Sequence, residues 1–373
     1  YSPDPAWQSI GRVDLTQPLL RNFGKTVTLS KIHLSEIVRG RAVEDFKQSL
    51  NTIVTATEHS YLDLELHWKT LQVKQWLLEQ GEQVVKILEL RRDYDTGESD
   101  YAQAVATVQQ RRVDVISQQA LIQTTSDQLK TFINTDDYSP DSEVVIQPTG
   151  TISANAVSIS LRQALLTAIQ RRPDLRNLAL AINSESINMQ VADNARLPQL
   201  DFQAQMSLYG LGDSASTGYQ EVYDADFINY LVGLTFQIPL GNRAAESQYQ
   251  SSRLQKMVAI ATYKRGVQQA TVEVKVALRD IVTNAALMRA NRSFRVAQAE
   301  NLRALKVEEE TMMGLTPTFL NLKLQTQNGL ATARISEFRS IVNYNKAIAS
   351  LYEAMGTTLD MRQISINQFG FSE

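Results

Sequence analysis

Two neighbouring segments of the chain alternate strictly between apolar and polar residues. Every second residue is apolar in residues 200–208 (LDFQAQMSL) and again in residues 232–238 (VGLTFQI). Strict alternation predicts β-strands with one apolar and one polar face, and strands of this length suit a membrane with lipid on one side and water on the other. We therefore predict a β-hairpin over residues 199–240 whose lipid-facing residues are Leu200, Phe202, Met206, Leu208, Val232, Leu234, Phe236 and Ile238.

The residues between the two strands have the composition of a loop. Residues 209–218 are polar and rich in glycine, which predicts a turn or loop. Tyr209, Tyr223, Phe227 and Tyr230 cluster at this end of the hairpin, where the aromatic girdle of a membrane interface would lie. The alternative is a soluble hairpin that packs on a helix.

Two other stretches, residues 25–95 and 242–313, contain no proline and little else that breaks a helix. As helices of roughly 70 residues they would each be about 100 Å long, more than a globular domain needs. In the second stretch, one apolar stripe follows a 3-4 spacing and a second lies beside it. Two stripes predict helical neighbours on both sides, as in a wall of helices, whereas a two-stranded coiled-coil rod would need one. The first stripe is Val267, Ala270, Val274, Ala277, Ile281 and Met288, and the second is Val272, Val276 and Leu287.

The same order of elements occurs twice, which predicts two structural repeats. The first repeat, residues 1–134, has a strand at 9–20, a long helix at 25–95, a tip turn at 96–100 and a short helix at 100–134. Residues 135–160 form a connector. The second repeat, residues 161–373, has a helix at 174–196, the hairpin at 199–240, a long helix at 242–313, a tip turn at 314–317, a helix at 318–355 and a C-terminal tail. Because the first repeat has no counterpart of the helix and strand that open the second, we expect an N-terminal helix of about 25–35 residues and one strand to be missing from the sequence.

Composition removes several classes of function. The 373 residues carry a net charge of −3, which gives no reason to expect nucleic-acid binding, and contain no cysteine for a disulfide, a thiolate metal site or a nucleophile. His59, Asp63 and His67 have a spacing that could hold zinc, but a solvated helix face is the favoured interpretation. Gly210 and Gly212 superficially resemble a phosphate loop, yet no helix is predicted after them. We predict no catalytic residue, metal or cofactor, and no enzyme.

In their order and spacing, four short motifs resemble the TolC family of outer-membrane efflux ducts over essentially the whole chain. They are Ala164 followed by RPDL at 172–175, AxxAxLPxL at 192–200, the strand at 232–240 that leads into GNR at 241–243, and Leu351 and Tyr352 followed by Gly356. The resemblance implies a mainly α fold with membrane β-strands, in which three identical subunits share one β-barrel and one long periplasmic α-barrel. It also implies an outer-membrane location with most of the chain in the periplasm.

The function that the resemblance implies is that of an exit duct. The duct would carry small molecules such as drugs and toxic compounds, or secreted polypeptides, from the periplasm to the exterior. Its partners would be two further copies of the chain, a periplasmic adaptor protein, an inner-membrane transporter and outer-membrane lipid. Two alternatives stay open: a type I protein-secretion duct of the same fold, and a soluble helical scaffold protein.

The two glycine turns would form the periplasmic tip and, by the resemblance, dock the adaptor and open outward when it binds. The docking residues would be Gly97, Glu98, Ser99, Gly314, Leu315, Thr316 and Pro317. The family often narrows the tip with acidic residues after the second turn, but residues 320–324 (LNLKL) lack them. Acidic residues instead gather at the turns and just before them, near helix C-termini where the helix dipole disfavours them; the alternative is an ordinary solvated surface. Three copies would form a negative rim, and the aperture residues would be Asp93, Asp95, Asp100, Glu308, Glu309, Glu310 and Asn321.

Overall fold

The computed structural model describes residues 6–92, 97–139, 141–150, 152, 159–311 and 316–365. Helices dominate these residues, and two of them are very long, with 62 and 69 residues. The elements in chain order are β1 (Trp7–Pro18), α1 (Lys25–Thr28), α2 (Ser30–Arg91), α3 (Glu98–Ile133), a single 3₁₀ turn (Asp136–Tyr138), α4 (Leu161–Arg171), α5 (Pro173–Asn194), β2 (Gln199–Gly212), α6 (Ala215–Asp224), β3 (Phe227–Gln237), α7 (Arg243–Thr311), α8 (Pro317–Met355) and α9 (Thr358–Met361).

Two compact units divide the chain, and the long helices α2 and α7 contribute to both. The first unit comprises residues 1–44 and 174–266, and the second comprises residues 45–173 and 267–373. The sheet lies in the first unit, and most of the helical packing described below lies in the second. No helix within the described residues is both long enough and apolar enough to cross a membrane.

An antiparallel sheet with the strand order β1-β2-β3 is the centre of the first unit. In its register Leu208 of β2 lies between Gly11 of β1 and Ile228 of β3, and Met206 lies between Val13 and Tyr230. Side chains directly opposite each other lie on the same face of a sheet. β1, near the start of the chain, therefore pairs with β2 of the hairpin, and most of the apolar residues of the three strands share one face, although Ile10 and Leu231 lie on the other.

A helix occupies the segment that the sequence predicts as a loop. β2 continues to Gly212, and residues 215–224 form α6, which packs on the sheet. Its N-terminus is capped by Ser214, whose hydroxyl accepts a hydrogen bond from the Thr217 amide. The loop prediction was wrong because the glycines in this segment serve close packing: a β-carbon at Gly212 would lie 2.6 Å from the backbone nitrogen of Gly218.

Small and aliphatic side chains form the packing core of the second unit. α4, α7 and α8 meet around Ala168, Val274 and Leu351, while α2 and α3 meet around Leu64 and Ile122. The connector between α3 and α4 lies on the second of these clusters, because Trp68 Nε1 donates a 3.1 Å hydrogen bond to the carbonyl of Ile146. Close contact between alanines brings the helices near each other, as the alanine-rich sequence favours.

Some element boundaries differ from those that the sequence predicts. The first long helix is interrupted near its start, since α1 ends at Thr28 and α2 begins at Ser30. The Ser30 hydroxyl donates a 2.6 Å hydrogen bond to the Val27 carbonyl at this break. The predicted strand to residue 240 ends at Gln237, which is the last residue paired with β2, and Pro239 has no amide to continue the ladder. The predicted tip turn at 96–100 is shorter, because residues 98–100 already belong to α3.

Candidate functional site

The two faces of the sheet differ in a way that matches the lipid-facing prediction. On β3, Val232, Leu234 and Phe236 are 72%, 67% and 61% exposed, and Ile238 just beyond the strand is 57% exposed. Apolar side chains in such a contiguous patch mark a surface that contacts something other than water. Their counterparts on β2, Leu200, Phe202, Met206 and Leu208, are half-buried because they have neighbouring strands on both sides.

The opposite face of the sheet carries polar side chains that bond to each other. Gln199 donates a 2.6 Å hydrogen bond to the carboxylate of Asp201, and Thr235 lies 3.3 Å from the side-chain oxygen of Gln203 across the β2–β3 pair. Ser207 is buried and accepts from Gln205. A sheet with one exposed apolar face and one polar face is the arrangement expected between lipid and water.

The described part of the predicted tip is built around an apolar cluster. Val84 and Leu88 of α2, Ala104 of α3, and Leu320 and Leu324 of α8 pack together. The cluster therefore joins three of the four helices that approach the two tip turns, and it fixes where the polar side chains of the tip lie.

The first turn of α3 follows Gly97, the N-cap residue, directly. Glu98 and Asp100 lie in this turn, and Arg92 pairs with Glu98 through two hydrogen bonds of 2.6 and 3.1 Å. A helix N-terminus favours negative charge. The expectation that these carboxylates occupy an unfavourable helix C-terminus is thus wrong for Glu98 and Asp100, because the helix starts earlier than predicted. Ser99 lies exposed beside them.

The second turn retains the predicted placement of its acidic residues. Glu308, Glu309 and Glu310 lie in the last turn of α7, where the helix dipole disfavours carboxylates. Glu309 is neutralised by Lys323 of α8, whose ammonium lies 2.6 and 2.7 Å from its two oxygens. Thr316 caps α8 by accepting from the amide of Phe319, and Pro317 occupies the first helical position.

A side-chain hydrogen bond joins α8 to the acidic first turn of α3. Asn321 of α8 donates a 3.3 Å hydrogen bond to Asp100 of α3. The structure therefore brings Asp100, Asn321, Glu98 and Glu309 into the packed end of the second unit, each with a partner. The predicted residues Asp93, Asp95, Gly314 and Leu315 lie outside the described residues.

Arg111, which the sequence does not single out, bonds to the backbone of Leu324 in the apolar cluster of the tip. It is 3% exposed, and its guanidinium joins three helices by donating to the carbonyls of Leu77 in α2 and Leu324 in α8, at 2.7 and 3.2 Å. Two amide oxygens of α8, those of Gln327 and Asn328, also accept from it. Burial lowers the pKa of Arg111 to about 10, so the group stays charged at neutral pH.

A glycine makes room for this buried cation. A β-carbon at Gly81 would lie 2.7 Å from Nη1 of Arg111 and 3.1 Å from a methyl group of Val108. Gly81 follows Leu77 by four residues, so it lies one turn beyond the carbonyl that Arg111 contacts. The missing side chain therefore exposes that carbonyl to the guanidinium.

Two motif residues that are distant in the sequence meet in the second unit. Arg172 donates to Glu273 at 2.6 Å and to the carbonyl of Ala354 at 3.1 Å, near the end of α8. Gly356 ends α8 with a positive φ of 68°, and a β-carbon there would lie 2.8 Å from the α-carbon of Arg172. The arginine of RPDL and the glycine after Leu351 and Tyr352 thus form one contact that holds α4 against α8.

The histidines that have metal-like spacing are engaged in contacts between helices. Asp63 pairs with Lys346 at 2.6 Å, His59 lies 3.2 Å from the carbonyl of Lys346, and His67 lies 3.1 Å from the side-chain nitrogen of Gln118. Among the described residues no group of three or more metal-ligating side chains comes together. The interpretation as a solvated face is also incomplete, since these side chains bond to α3 and α8.

Residues 164–311 match the family model described as outer membrane efflux protein. The predicted resemblance to the TolC family of outer-membrane efflux proteins is confirmed by this match. The matched range begins with α4 and ends with α7, so it includes the sheet's β2 and β3. The efflux-channel function and the outer-membrane location predicted from the resemblance are confirmed with it, and the protein-secretion and soluble-scaffold alternatives are not favoured.

Solved structures of outer-membrane proteins have the same fold. The CmeC outer membrane channel of Campylobacter jejuni is 14% identical, with a TM-score of 0.77 over 97% of this chain and 80% of its own. The outer membrane protein VceC of Vibrio cholerae is 14% identical, with a TM-score of 0.75 over 94% and 87%. The open state of the MtrE outer membrane channel of Neisseria gonorrhoeae is 15% identical, with a TM-score of 0.74 over 95% and 81%.

These similarities confirm the predicted fold class, a mainly helical chain with few strands. No curated protein sequence is significantly similar to the chain. The family whose model matches residues 164–311 consists of channels and ducts.

Proposed function

We propose that this efflux protein is one of three identical subunits of an exit duct, which carries small molecules from the periplasm to the exterior in a tripartite efflux pump. The observation that carries the proposal is the sheet, whose exposed apolar face lies opposite a polar face with its own hydrogen bonds. In a trimer, each chain would contribute this sheet to a shared wall with lipid outside and a water-filled path inside.

The two apolar stripes of α7 support the trimer. The first stripe is used within the chain, since Ala270, Val274 and Ile281 are buried. The second stripe, Val272, Val276 and Leu287, stays exposed along the same helix. A helix with apolar residues on two sides needs two sets of neighbours, and further copies of the chain would supply the second set.

At the tip, we propose that a periplasmic adaptor docks on the exposed start of α3 and on the cap of α8. Gly97, Glu98 and Ser99 are exposed, and so is Thr316. Docking would move α7 and α8 outward from α3 and open the duct towards the inner-membrane transporter. The proposed duct works by passive conduction, which requires no catalytic step.

Single-channel recording in a planar lipid bilayer tests this function. The purified trimer should give discrete conductance steps with a preference for cations, and Glu308→Gln combined with Glu310→Gln should weaken that preference. Asp280→Asn, an exposed carboxylate elsewhere on α7, is the matched control and should leave it unchanged. An unchanged cation preference in the double variant would contradict the acidic rim. The absence of conductance steps from inserted, opened trimers would contradict the duct.

Cross-linking tests the docking surface. A photoreactive maleimide attached to Ser99→Cys should capture the adaptor, whereas the same reagent on Thr131→Cys, exposed near the other end of α3, should not. Equal capture from both positions would contradict docking at the tip. The native chain has no cysteine, so each label has one site.

A further inference from the structure

α6 lies on the apolar face of the sheet, at the end of the strands farthest from α5 and α7. β2 begins next to α5 and β3 ends next to α7, whereas α6 connects the other ends of these two strands. Val222 of α6 would contact β-carbons placed at Gly11 and at Gly210. Gly11 pairs with Leu208 in the register, so α6 covers the same face on which Leu208, Met206 and Val232 lie.

Glycines fix α6 tightly against the strands. A β-carbon at Gly210 would collide with the carbonyl oxygen of Gly218, and one at Gly218 would lie 3.1 Å from the Ser9 hydroxyl and 3.2 Å from the carbonyl of Trp7. Glu221 adds a side-chain bond by accepting from the amide of Leu211 at 2.7 Å. Backbone-to-backbone packing of this kind places α6 in one defined position on β1 and β2.

The part of the apolar face that α6 leaves uncovered is about as long as a strand that crosses a membrane. α6 covers the sheet around Gly11, Gly210 and Gly212, and the residues of β2 from Gln199 to Ser207 lie beyond it. A tilted strand needs about 9–11 residues to cross the hydrocarbon layer of a bilayer. The uncovered segment of nine residues meets that requirement, so α6 begins where the hydrocarbon layer would end.

Two aromatic side chains on the outer side of α6 are exposed. Tyr219 and Tyr223, one helical turn apart, are 67% and 92% exposed. The buried residue of this helix, Gly218, faces the sheet instead. Tyrosine is favoured at membrane–water interfaces, where its ring contacts acyl chains and its hydroxyl stays wet.

We propose that α6 lies in the interfacial layer of the membrane on the lipid side of the sheet, with Tyr219 and Tyr223 contacting lipid near the headgroups. This inference rests on the proposed function, because it takes the apolar face of the sheet as the one that meets lipid. The uncovered apolar band ends where α6 begins. α6 would therefore limit how far the strands move along the membrane normal.

Spin labels on the otherwise cysteine-free chain test the proposal. A nitroxide is attached to Tyr223→Cys in the full chain, reconstituted in phosphatidylcholine nanodiscs, and its collision rates with oxygen and with a water-soluble nickel chelate are measured. Val232→Cys marks the lipid-facing side in the middle of β3, and Asn229→Cys marks the polar face of the same strand. The expected ratio of oxygen to nickel collisions at position 223 lies between those at 232 and 229.

The outcomes separate the inference from the function on which it rests. If position 223 is as accessible to nickel as position 229 while position 232 is protected, α6 lies in water, and the inference is overturned with the proposed function intact. If position 232 is itself open to nickel, the apolar face does not meet lipid, and both are overturned. An intermediate ratio at 223 together with a protected 232 supports both.

Discussion

The sheet and the helical tip region place their polar and apolar residues in opposite ways. In the sheet, Val232, Leu234 and Phe236 are exposed, and Ser207 is buried on the polar face. In the helices of the second unit, the cations of Arg111 and Lys130 are buried. Each arrangement is costly for a chain surrounded by water on all sides, and the two costs are met differently.

The difference shows which surface is complete within one chain. Arg111 has carbonyl and amide oxygens from two other helices, and Lys130 donates to Asp127 and to the carbonyl of Ser142. Most of the donors of those buried charges are therefore satisfied within the chain, Nε of Arg111 being an exception. The apolar face of β3 has no such partner among the described residues, which is why we propose that it meets lipid.

The largest effect is expected where α6 meets the sheet. Gly210→Ala should lower the free energy of unfolding in detergent by about 3 kcal/mol, because the new methyl group collides with the backbone of α6. Gly233→Ala on β3 is the matched control: a β-carbon there has no neighbour within 4 Å, and the change should stabilise the strand by about 0.5–1 kcal/mol. Equal effects at both glycines would mean that α6 does not dock as described.

The second prediction concerns the room made for Arg111. Gly→Ala inside a helix ordinarily stabilises by about 1 kcal/mol, yet Gly81→Ala should destabilise by about 2 kcal/mol because its methyl group displaces the guanidinium. Gly40→Ala, in the same helix, would make only an ordinary 3.5 Å contact with Leu180 and should stabilise. Urea titration of the two variants gives the sign of the change in stability. Stabilisation by both would contradict the close contact between Gly81 and Arg111.

Neighbouring arginines provide a third, smaller contrast. Arg172→Gln should cost about 2 kcal/mol, because Arg172 makes charged hydrogen bonds to Glu273 and to the carbonyl of Ala354. Arg171→Gln should cost less than about 1 kcal/mol, since its 3.4 Å pair with Asp360 is exposed. Thermal unfolding of both variants in detergent measures the difference, and an equal loss would show that the α4–α8 contact does not depend on Arg172.

The smallest effect is a dependence on pH. Burial lowers the pKa of His67, whose Nδ1 faces the side-chain nitrogen of Gln118. The neutral ring is therefore favoured in the folded chain, so its contribution is complete above the unfolded pKa of about 6.5 and is lost as the pH falls below it. Stability measured from pH 7.5 to 5 should fall more steeply for the native chain than for His67→Gln. Parallel curves would contradict a half-buried, neutral His67.

The strands were predictable from the sequence because period-two alternation reports directly on the two sides of a sheet. The apolar face, the two stripes of α7 and the family resemblance all follow from short-range patterns of this kind. α6 was not, because Gly210, Gly212 and Gly218 have the composition of a loop, and only the fold reveals that they allow a helix to approach the strands.

The helical tip was predicted less well because its contacts are long-range. Residue spacing gives no sign that Arg111 would reach Leu324, more than two hundred residues away in the sequence. The position of Glu98 relative to the helix dipole depended on whether Gly97 ends a turn or caps α3, which a glycine alone leaves open. The adaptor-docking residues and the acidic rim stay predictions.

A cysteine scan along β3 tests the central claim most directly. Residues 228–237 are replaced one at a time, and the reconstituted protein is treated with a water-soluble maleimide. The account predicts alternation with a period of two: positions 229, 231, 233 and 235 react, because they lie on the polar face, and positions 230, 232, 234 and 236 are protected by lipid. Equal reactivity at odd and even positions would contradict a sheet with lipid on one side and water on the other.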